Sequence, residues 1–486
     1  MKLKITVYTL IAGLALAGCS KGKLSPIPQT FLSEAVAFSD SARCVQQVNG
    51  LYSAFKQGQM MAGRYMVYQD VRGEEFLNVT NNAVTAWLTW QFNLTAGTNE
   101  VNFFWNACYA TINRCNVVIA GLATAPISGT LKTNMTAEAK LIRAAAYFML
   151  MQLYAKPYTD GNGSNLGVIL KLNAETSIGD NNQARTTAAI IYAQILQDLN
   201  DAEANLPSFY TNNSPTTLLN TTRAHKNTAI ALKTRVYLNM ANWASVITEG
   251  NKLVPAAAPW NAPTGVANGL NPSISSVFTV YSNNESIWSA PFTTLDIPGT
   301  QNGLGWYYNP GPNGGNEYEL NLTGNGICAD PNWSAVDARR AFNQVTSGRT
   351  YLRKWPKPAA DADWSPIVRY AEVMLNLAEA LARNAPGTSV DARALAILNS
   401  IRQRSDPTLP NFTPADKNAL VALILNERRI ELLGEGFRTS DVGRTGATYA
   451  AKGTVSSVAP GTTQYIWPIP LGELLVNRAC QQNSGY

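Results

Sequence analysis

Apolar positions recur at three- and four-residue intervals along much of the chain, the spacing that gathers them on one face of a helix. Cys44, Val48, Leu51 and Phe55 form an early stripe of this kind. Residues 103–122 carry Phe104, Cys108, Ile112, Cys115, Ile119 and Leu122 on another. Residues 137–154 place Ile142, Ala146, Met149, Leu150 and Leu153 together. Ile191, Ile195, Leu199, Ala202 and Leu206 mark a helix over 187–206 that stops at Pro207. Residues 226–240 and 243–254 read as a helix pair joined at Ala241 and Asn242. Tyr370, Val373, Met374, Leu377, Ala378 and Leu381 define a helix over 370–383, and the pattern continues over 390–403 and 416–433. Repeated helix pairs with small residues on one face suggest stacked hairpins of the tetratricopeptide type, although the spacing does not keep a clean period of about 34 residues.

Two stretches break the pattern. Residues 57–102 and 255–365 are rich in Gly, Asn, Pro and aromatic residues. Irregular segments of this length are usually functional or disordered. Their density of rings, among them Trp87, Trp90, Phe92, Trp260, Trp288, Trp306, Tyr307, Tyr308, Tyr318 and Trp333, argues for ordered loops with some strand. The predicted class is mainly α, with long irregular loops resting on a helical scaffold.

The N-terminus follows a different rule. Lys2 and Lys4 precede an apolar run over 5–17, which is too short to span a bilayer. Small residues and a cysteine follow, so residues 1–18 read as a secretory signal and not as part of the fold. Leu16-Ala17-Gly18-Cys19 also resembles the bacterial lipobox, which is cleaved before a cysteine that is then lipidated. Several acyl chains on Cys19 would hold the protein firmly, since a single chain binds only marginally. Residues 19–37 are expected to be the lipidated cysteine and an extended tether, and 38–486 a single domain.

Composition narrows the function. The 486 residues carry a net charge of +6 and only 14% charged side chains, against roughly 25% in an average soluble chain. No Lys/Arg run supplies the basic stripe of a nucleic-acid binder. The one histidine, His225, excludes zinc sites built on two or three His, and is expected to be solvated in the first turn of a helix. Neither a Walker loop nor a GxGxxG after a strand occurs. Beyond Cys19 there are five cysteines, an odd and sparse set unlike a disulfide framework. Cys44, Cys108 and Cys115 lie on apolar stripes and read as small core hydrophobes. Cys108 and Cys115, about 10 Å apart along one helix, are too distant to bridge. The pairing of Cys328 and Cys480 is left open.

At this point the chain resembles the SusD/RagB family, surface glycan-binding lipoproteins of Bacteroidota. Trp105 and Tyr109 with Ile112, Asn113 and Asn116 look like the family's early Trp…Tyr…Ile…Asn helix. Ala137-Glu138-Ala139, Arg143-Ala144 and Tyr147-Phe148, closing on Pro157, are similar to its Glu-Ala…Arg-Ala…Tyr-Phe helix. Residues 367–375 followed by Ala378-Glu379-Ala380 look like its most specific helix. Asn399, Ile401, Arg402 and Arg404 fit the Asn-x-Ile-Arg-x-Arg step. Glu427, Arg428, Glu431, Glu435, Gly436, Arg438 and Asp441 fit the Glu-Arg…Glu…Glu-Gly-x-Arg…Asp segment. Trp467 to Pro470, Asn477 and residues 482–486 match the terminal signature, with Ser484 where Pro is usual. These matches run collinearly from about residue 105 to 486, whereas the two loop regions match little.

The resemblance implies a mainly α-helical fold with four tetratricopeptide-like helix pairs on one side. It implies anchoring at the outer membrane and pairing with a SusC-like TonB-dependent transporter, to which captured ligand is passed. It implies glycan binding in most members and peptide binding in some, with no catalysis and no required cofactor; bound calcium is left open. Basic Lys21 and Lys23 depart from the acidic residues that often follow the lipidated cysteine in surface-exported relatives.

The motif acids and arginines are expected to be structural ion pairs, since charges on helices with buried faces need partners. Glycosidases need two carboxylates roughly 5–9 Å apart. Glu74 with Glu75, or Asp361 with Asp363, would be the pairs open to a secreted hydrolase, but solvated loop acids are the simpler reading. Binding sugar without cleaving it calls for flat aromatic faces and amide side chains. The loops hold both. Trp87 and Trp90 lie near Asn78, Asn81, Asn82 and Asn93, and Asn302, Trp306 and Tyr307 lie in a Gly-rich frame. These rings, with Trp333, Asn302 and Asp70, are the candidate ligand contacts. A peptide site would instead favour carboxylate or backbone-pairing features.

Overall fold

The helices begin and end where the chain supplies caps. The computed structural model describes residues 34–486, apart from 178, 180, 181 and 358–361. Its helices include α1 (Ser41–Phe55), α2 (Arg64–Val71), α3 (Trp87–Trp90), α4 (Asn99–Thr124), α5 (Gly129–Tyr154), α6 (Ala188–Asn205), α7 (Lys226–Asn239), α8 (Trp243–Leu253), α9 (Leu304–Tyr308), α10 (Tyr370–Asn384), α11 (Ala392–Ser405), α12 (Lys417–Glu431), α13 (Arg438–Arg444) and α14 (Leu471–Val476). Asp391 and Asp416 each accept a bond from the backbone N–H three residues on, both at 2.8 Å, which satisfies a donor the first turn would otherwise leave free. Ala241 turns the chain between α7 and α8 at φ 54°, and Asn242 caps α8 through the Ser245 N–H.

Consecutive helices pack as hairpins. α4 packs on α5, α5 on α6, α6 on α7, α7 on α8, α8 on α10, and α10 on both α11 and α12. The predicted stripes line this interior: Cys44, Cys108, Cys115, Ile112, Ile142 and Leu150 are all fully buried. All five cysteines after Cys19 are free and buried, Cys328 and Cys480 among them. The signal, Cys19 and Asp361 lie outside the described residues. Where an extended tether is expected, residues 34–37 form a helical turn, and Phe38 behind it is buried against Gly121.

Strands are short and paired two by two: β1 (Phe76–Asn78) with β3 (Tyr318–Leu320), β2 (Ser286–Ala290) with β6 (Ser365–Arg369), and β4 (Asn343–Thr346) with β5 (Arg349–Leu352), all antiparallel. The motif charges form the expected ion pairs. Arg143 grips Asp198 with two bonds at 2.8 and 2.7 Å. Glu431 accepts from Arg404 at 2.7 Å, Arg339 at 3.0 Å and Arg369 at 3.1 Å. Burial would raise the Glu431 pKa, but these three arginines hold it well below the usual carboxylate range. Asp441 is held at about 2 against burial by Arg428 and Arg444.

His225 corrects an expectation. It is fully buried, with Nε2 3.0 Å from the Asn220 carbonyl and 3.2 Å from that of Ile287. Burial pushes its pKa down to about 4. Its position before α7 faces inward because the 218–222 turn and β2 cover that end of the helix.

Candidate functional site

The two loop regions distant in sequence meet on one side of the helices. The β1–β3 pair joins them, with Phe76 opposite Leu320, Leu77 opposite Glu319 and Asn78 opposite Tyr318. Glu317 adds side-chain stitches: it accepts from Thr80, from Thr85 at 2.7 Å and from Asn82 at 3.3 Å. Arg64 Nε donates to Asn302 Oδ1 at 2.6 Å, and Asn302 Nδ2 donates to the Pro298 carbonyl at 3.1 Å. Gly63 makes this approach possible, because a Cβ there would lie 2.1 Å from the Asn302 carbonyl oxygen.

Trp87 and Trp306 remain half-buried on these loops. The Trp306 indole lies over Gly315, where a Cβ would come within 2.6 Å of Nε1. Neither indole N–H finds a protein partner among the described residues. Gln301, half-buried Asn302, Asn78, Asn82 and Asn316 share these segments. Several non-glycine residues here adopt left-handed backbone: Asn81 at φ 54°, Ala86 at 71°, Gln301 at 57° and Asn316 at 53°. Such conformations are uncommon and gather where the surroundings impose them, often at ligand sites.

Four other candidates are buried. Trp90 is 5% exposed and its Nε1 donates to the Phe76 carbonyl at 2.9 Å, which fastens α3 onto β1. Tyr307 is fully buried, with its hydroxyl donating to the Gln301 carbonyl at 2.9 Å. Trp333 is 4% exposed and lies under the Arg340 guanidinium at 3.8 Å. Asp70 is 2% exposed and accepts from the N–H groups of Gly436, Phe437 and Arg438, at 2.7, 3.1 and 3.3 Å. Burial pushes Asp70 up to about 7 despite those three bonds. These side chains hold loops to helices and have no free face for a ligand. Trp87, Asn302 and Trp306 are the candidates that stay accessible.

Sequence reasoning missed Arg64, Glu317 and Glu100. Glu100 starts α4 beneath the loops, accepts from Thr89, and is pushed up to about 7 by burial, opposed by Thr89 and Arg64. Their contacts span tens to hundreds of residues, so no local pattern marks them. The hydrolase carboxylates find other work: Glu74 pairs with Arg438 at 2.5 Å and Glu75 with Arg429 at 2.7 Å. Asp363 accepts from Tyr281 at 2.6 Å. No group of three or more His, Cys, Asp or Glu among the described residues is placed to hold a metal ion.

Known proteins share this architecture. The profile described as "SusD family" matches residues 305–486, and one described as "Starch-binding associating with outer membrane" matches 32–238. A SusD superfamily protein from Bacteroides fragilis is 31% identical, superposes with a TM-score of 0.81, and covers 91% of this chain and 99% of its own. The chain belongs to the SusD family. SusD-like protein P38 of Formosa agariphila is 26% identical over 440 residues, spanning 81% of this chain and 82% of that protein. A laminarin-binding SusD-like protein shares the fold at 20% identity, with a TM-score of 0.72 over 92% of this SusD chain and all of its own.

Proposed function

We propose that this SusD-family protein is a glycan-binding component of a nutrient-uptake complex at the outer membrane. It is anchored through lipidated Cys19 and delivers captured oligo- or polysaccharide to a SusC-like TonB-dependent transporter. The observation that carries the reading is the loop face, where half-buried Trp87 and Trp306 stand beside amide side chains on a frame stitched by Arg64, Asn302 and Glu317. An indole covers the apolar C–H face of a sugar ring at low entropic cost. Amides on the same segments suit paired hydroxyls. Recognition of laminarin by one fold relative, and the starch-binding and outer-membrane description of the matching profile, support a saccharide ligand and that location. Binding without catalysis fits carboxylates that are committed to arginines or to Tyr281.

Affinity electrophoresis through a panel of polysaccharides tests the ligand class. Retardation on at least one glycan is expected, abolished or strongly reduced by Trp306→Ala or Trp87→Ala with the circular dichroism spectrum unchanged. Retardation on no glycan, with a peptide library retained instead, would transfer the same scaffold to peptide capture. Metabolic labelling with a fatty acid, lost in Cys19→Ala, tests the anchor. Protease shaving of intact cells tests whether it faces outward despite Lys21 and Lys23.

A further inference from the structure

A cleft of about 810 Å³ lies between residues 156–166 after α5, the end of α13, the 460–466 loop and the 482–485 segment. Its size lies within the roughly 300–1,000 Å³ range of small-ligand pockets. Most charges at its wall are internally neutralised. Lys156 lies 3.4 Å from Asp160, and Arg444 is paired with Glu379 at 2.7 Å and Asp441 at 2.8 Å.

Arg185 is different. It lines the cleft, is 7% exposed, and donates only to carbonyl oxygens: Gly167 at 2.7 Å, Gln481 at 3.0 Å and Leu166 at 3.4 Å. No carboxylate among the described residues pairs with it. Arg72 does not line the cleft but bonds to the 460–466 loop that does: it is 2% exposed and donates to the carbonyls of Gln464 and Tyr465, at 3.1 and 2.7 Å. It too has no acid partner among the described residues, and its guanidinium lies against Phe92 and Tyr449, 5.2 and 4.8 Å from the ring centroids. Carbonyl dipoles offset only part of a buried charge, and a cation kept from water without a counter-ion is costly. Arg185 in the wall and Arg72 behind the 460–466 loop leave positive charge without a paired acid next to the cleft, and low-dielectric walls focus such a field into an opening. Thr462, Thr463 and Ser484 line the same space and supply hydroxyls.

We propose that this cleft is a second saccharide subsite, selective for a sugar unit carrying a carboxylate or a sulfate. The inference rests on the glycan-binding reading, and it adds that the natural ligand is an acidic glycan. The anionic group settles against the wall braced by Arg185, and the sugar hydroxyls meet the hydroxyls and main-chain groups around it. Neutral residues of the same chain are left to the loop face.

Isothermal titration of the mature protein with oligogalacturonate, a carrageenan oligosaccharide and laminarin tests this. Oligogalacturonate distinguishes a carboxylate, carrageenan a sulfate, and laminarin is the neutral control. Ser484 is exposed at the rim and its side chain bonds to none of the described residues, so Ser484→Trp fills the cleft and Ser484→Glu adds a negative charge there. At least one acidic oligosaccharide is expected to bind, with affinity lowered about tenfold or more by Ser484→Trp, Ser484→Glu and Arg185→Met, as suits loss of a charge-assisted contact. Ser484→Gln, the neutral counterpart of Ser484→Glu, should lower it less than Ser484→Glu does, and Trp306→Ala should act on laminarin instead. Acidic binding unchanged by Ser484→Trp would overturn the subsite. Laminarin binding with no acidic oligosaccharide bound would overturn it too while leaving glycan capture standing. Binding of none of the three would likewise overturn the subsite, and retardation on the polysaccharide panel then decides glycan capture separately.

Discussion

His225 shows how one buried side chain ties stability to pH. Its imidazole is held neutral in the fold, with the pKa pushed from 6.5 to about 4 by burial. The unfolded chain therefore takes up the proton first. The contribution is complete above pH 6.5 and is lost as pH falls toward 4, by up to about 3 kcal/mol at the lower end. Asp70 and Glu100 run the opposite way, since burial raises both to about 7. Their contribution is complete below the ordinary carboxylate range and is lost as pH rises through 7. Urea unfolding at pH 7 and pH 4.5 isolates the histidine: the stability lost by wild type relative to His225→Gln should grow on acidification. An equal difference at both pH values would mean that His225 is not buried neutral. The same scale separates the aromatic candidates. Trp90→Ala removes a core ring and its bond to Phe76, and is expected to destabilise by about 3–5 kcal/mol. Trp306→Ala should cost binding with far less effect on unfolding.

At the scale of elements, the buried ionic cluster decides how α12 docks. Glu431 is fully buried and faces Arg339, Arg369 and Arg404, drawn from three separate segments. Glu431→Gln leaves those guanidiniums short of a counter-charge, and breaking a buried pair in this way costs about 3–5 kcal/mol. Denaturant titration should show that loss, with little change in slope. The long helices were legible in the sequence: the stripes over 103–122, 187–206, 226–240 and 370–383 fall within a few residues of α4, α6, α7 and α10. Their signal is local, since one face of each helix meets the next. The loops were legible only as composition. Whether Trp90 or Trp87 faces water depends on which side of α3 meets β1, and that is settled by Phe76 on β1 and by Glu317, far from α3 in sequence. Asp70 reads as a loop acid until the Gly436–Arg438 backbone arrives to cap it. Gly63→Ala tests the loop frame directly: the clash with the Asn302 carbonyl should displace the 299–304 loop and weaken glycan retardation, while the helical dichroism persists.

For the whole molecule, the low charge content separates the two proposed modes of capture on one scaffold. A net charge of +6 spread over 486 residues, with no basic stripe, gives little long-range attraction for polyanions in general. At the loop face, recognition by indoles and amides involves no net ion pairing, so screening should leave it nearly untouched. Neutral-glycan affinity is expected to change less than about twofold between 50 and 500 mM NaCl, where the Debye length shortens to a few ångströms. Acidic oligosaccharide at the Arg185 cleft should weaken several-fold over the same range, because its selectivity comes from an electropositive wall. The residual binding at high salt then reports the sugar contacts alone. Parallel titrations at the two salt concentrations distinguish the sites without any substitution. An acidic ligand as indifferent to salt as the neutral one would mean that Arg185 and Arg72 brace the wall and do not select its ligand, and a neutral ligand that weakens with salt would mean that the loop face works through Arg64 and not through its rings.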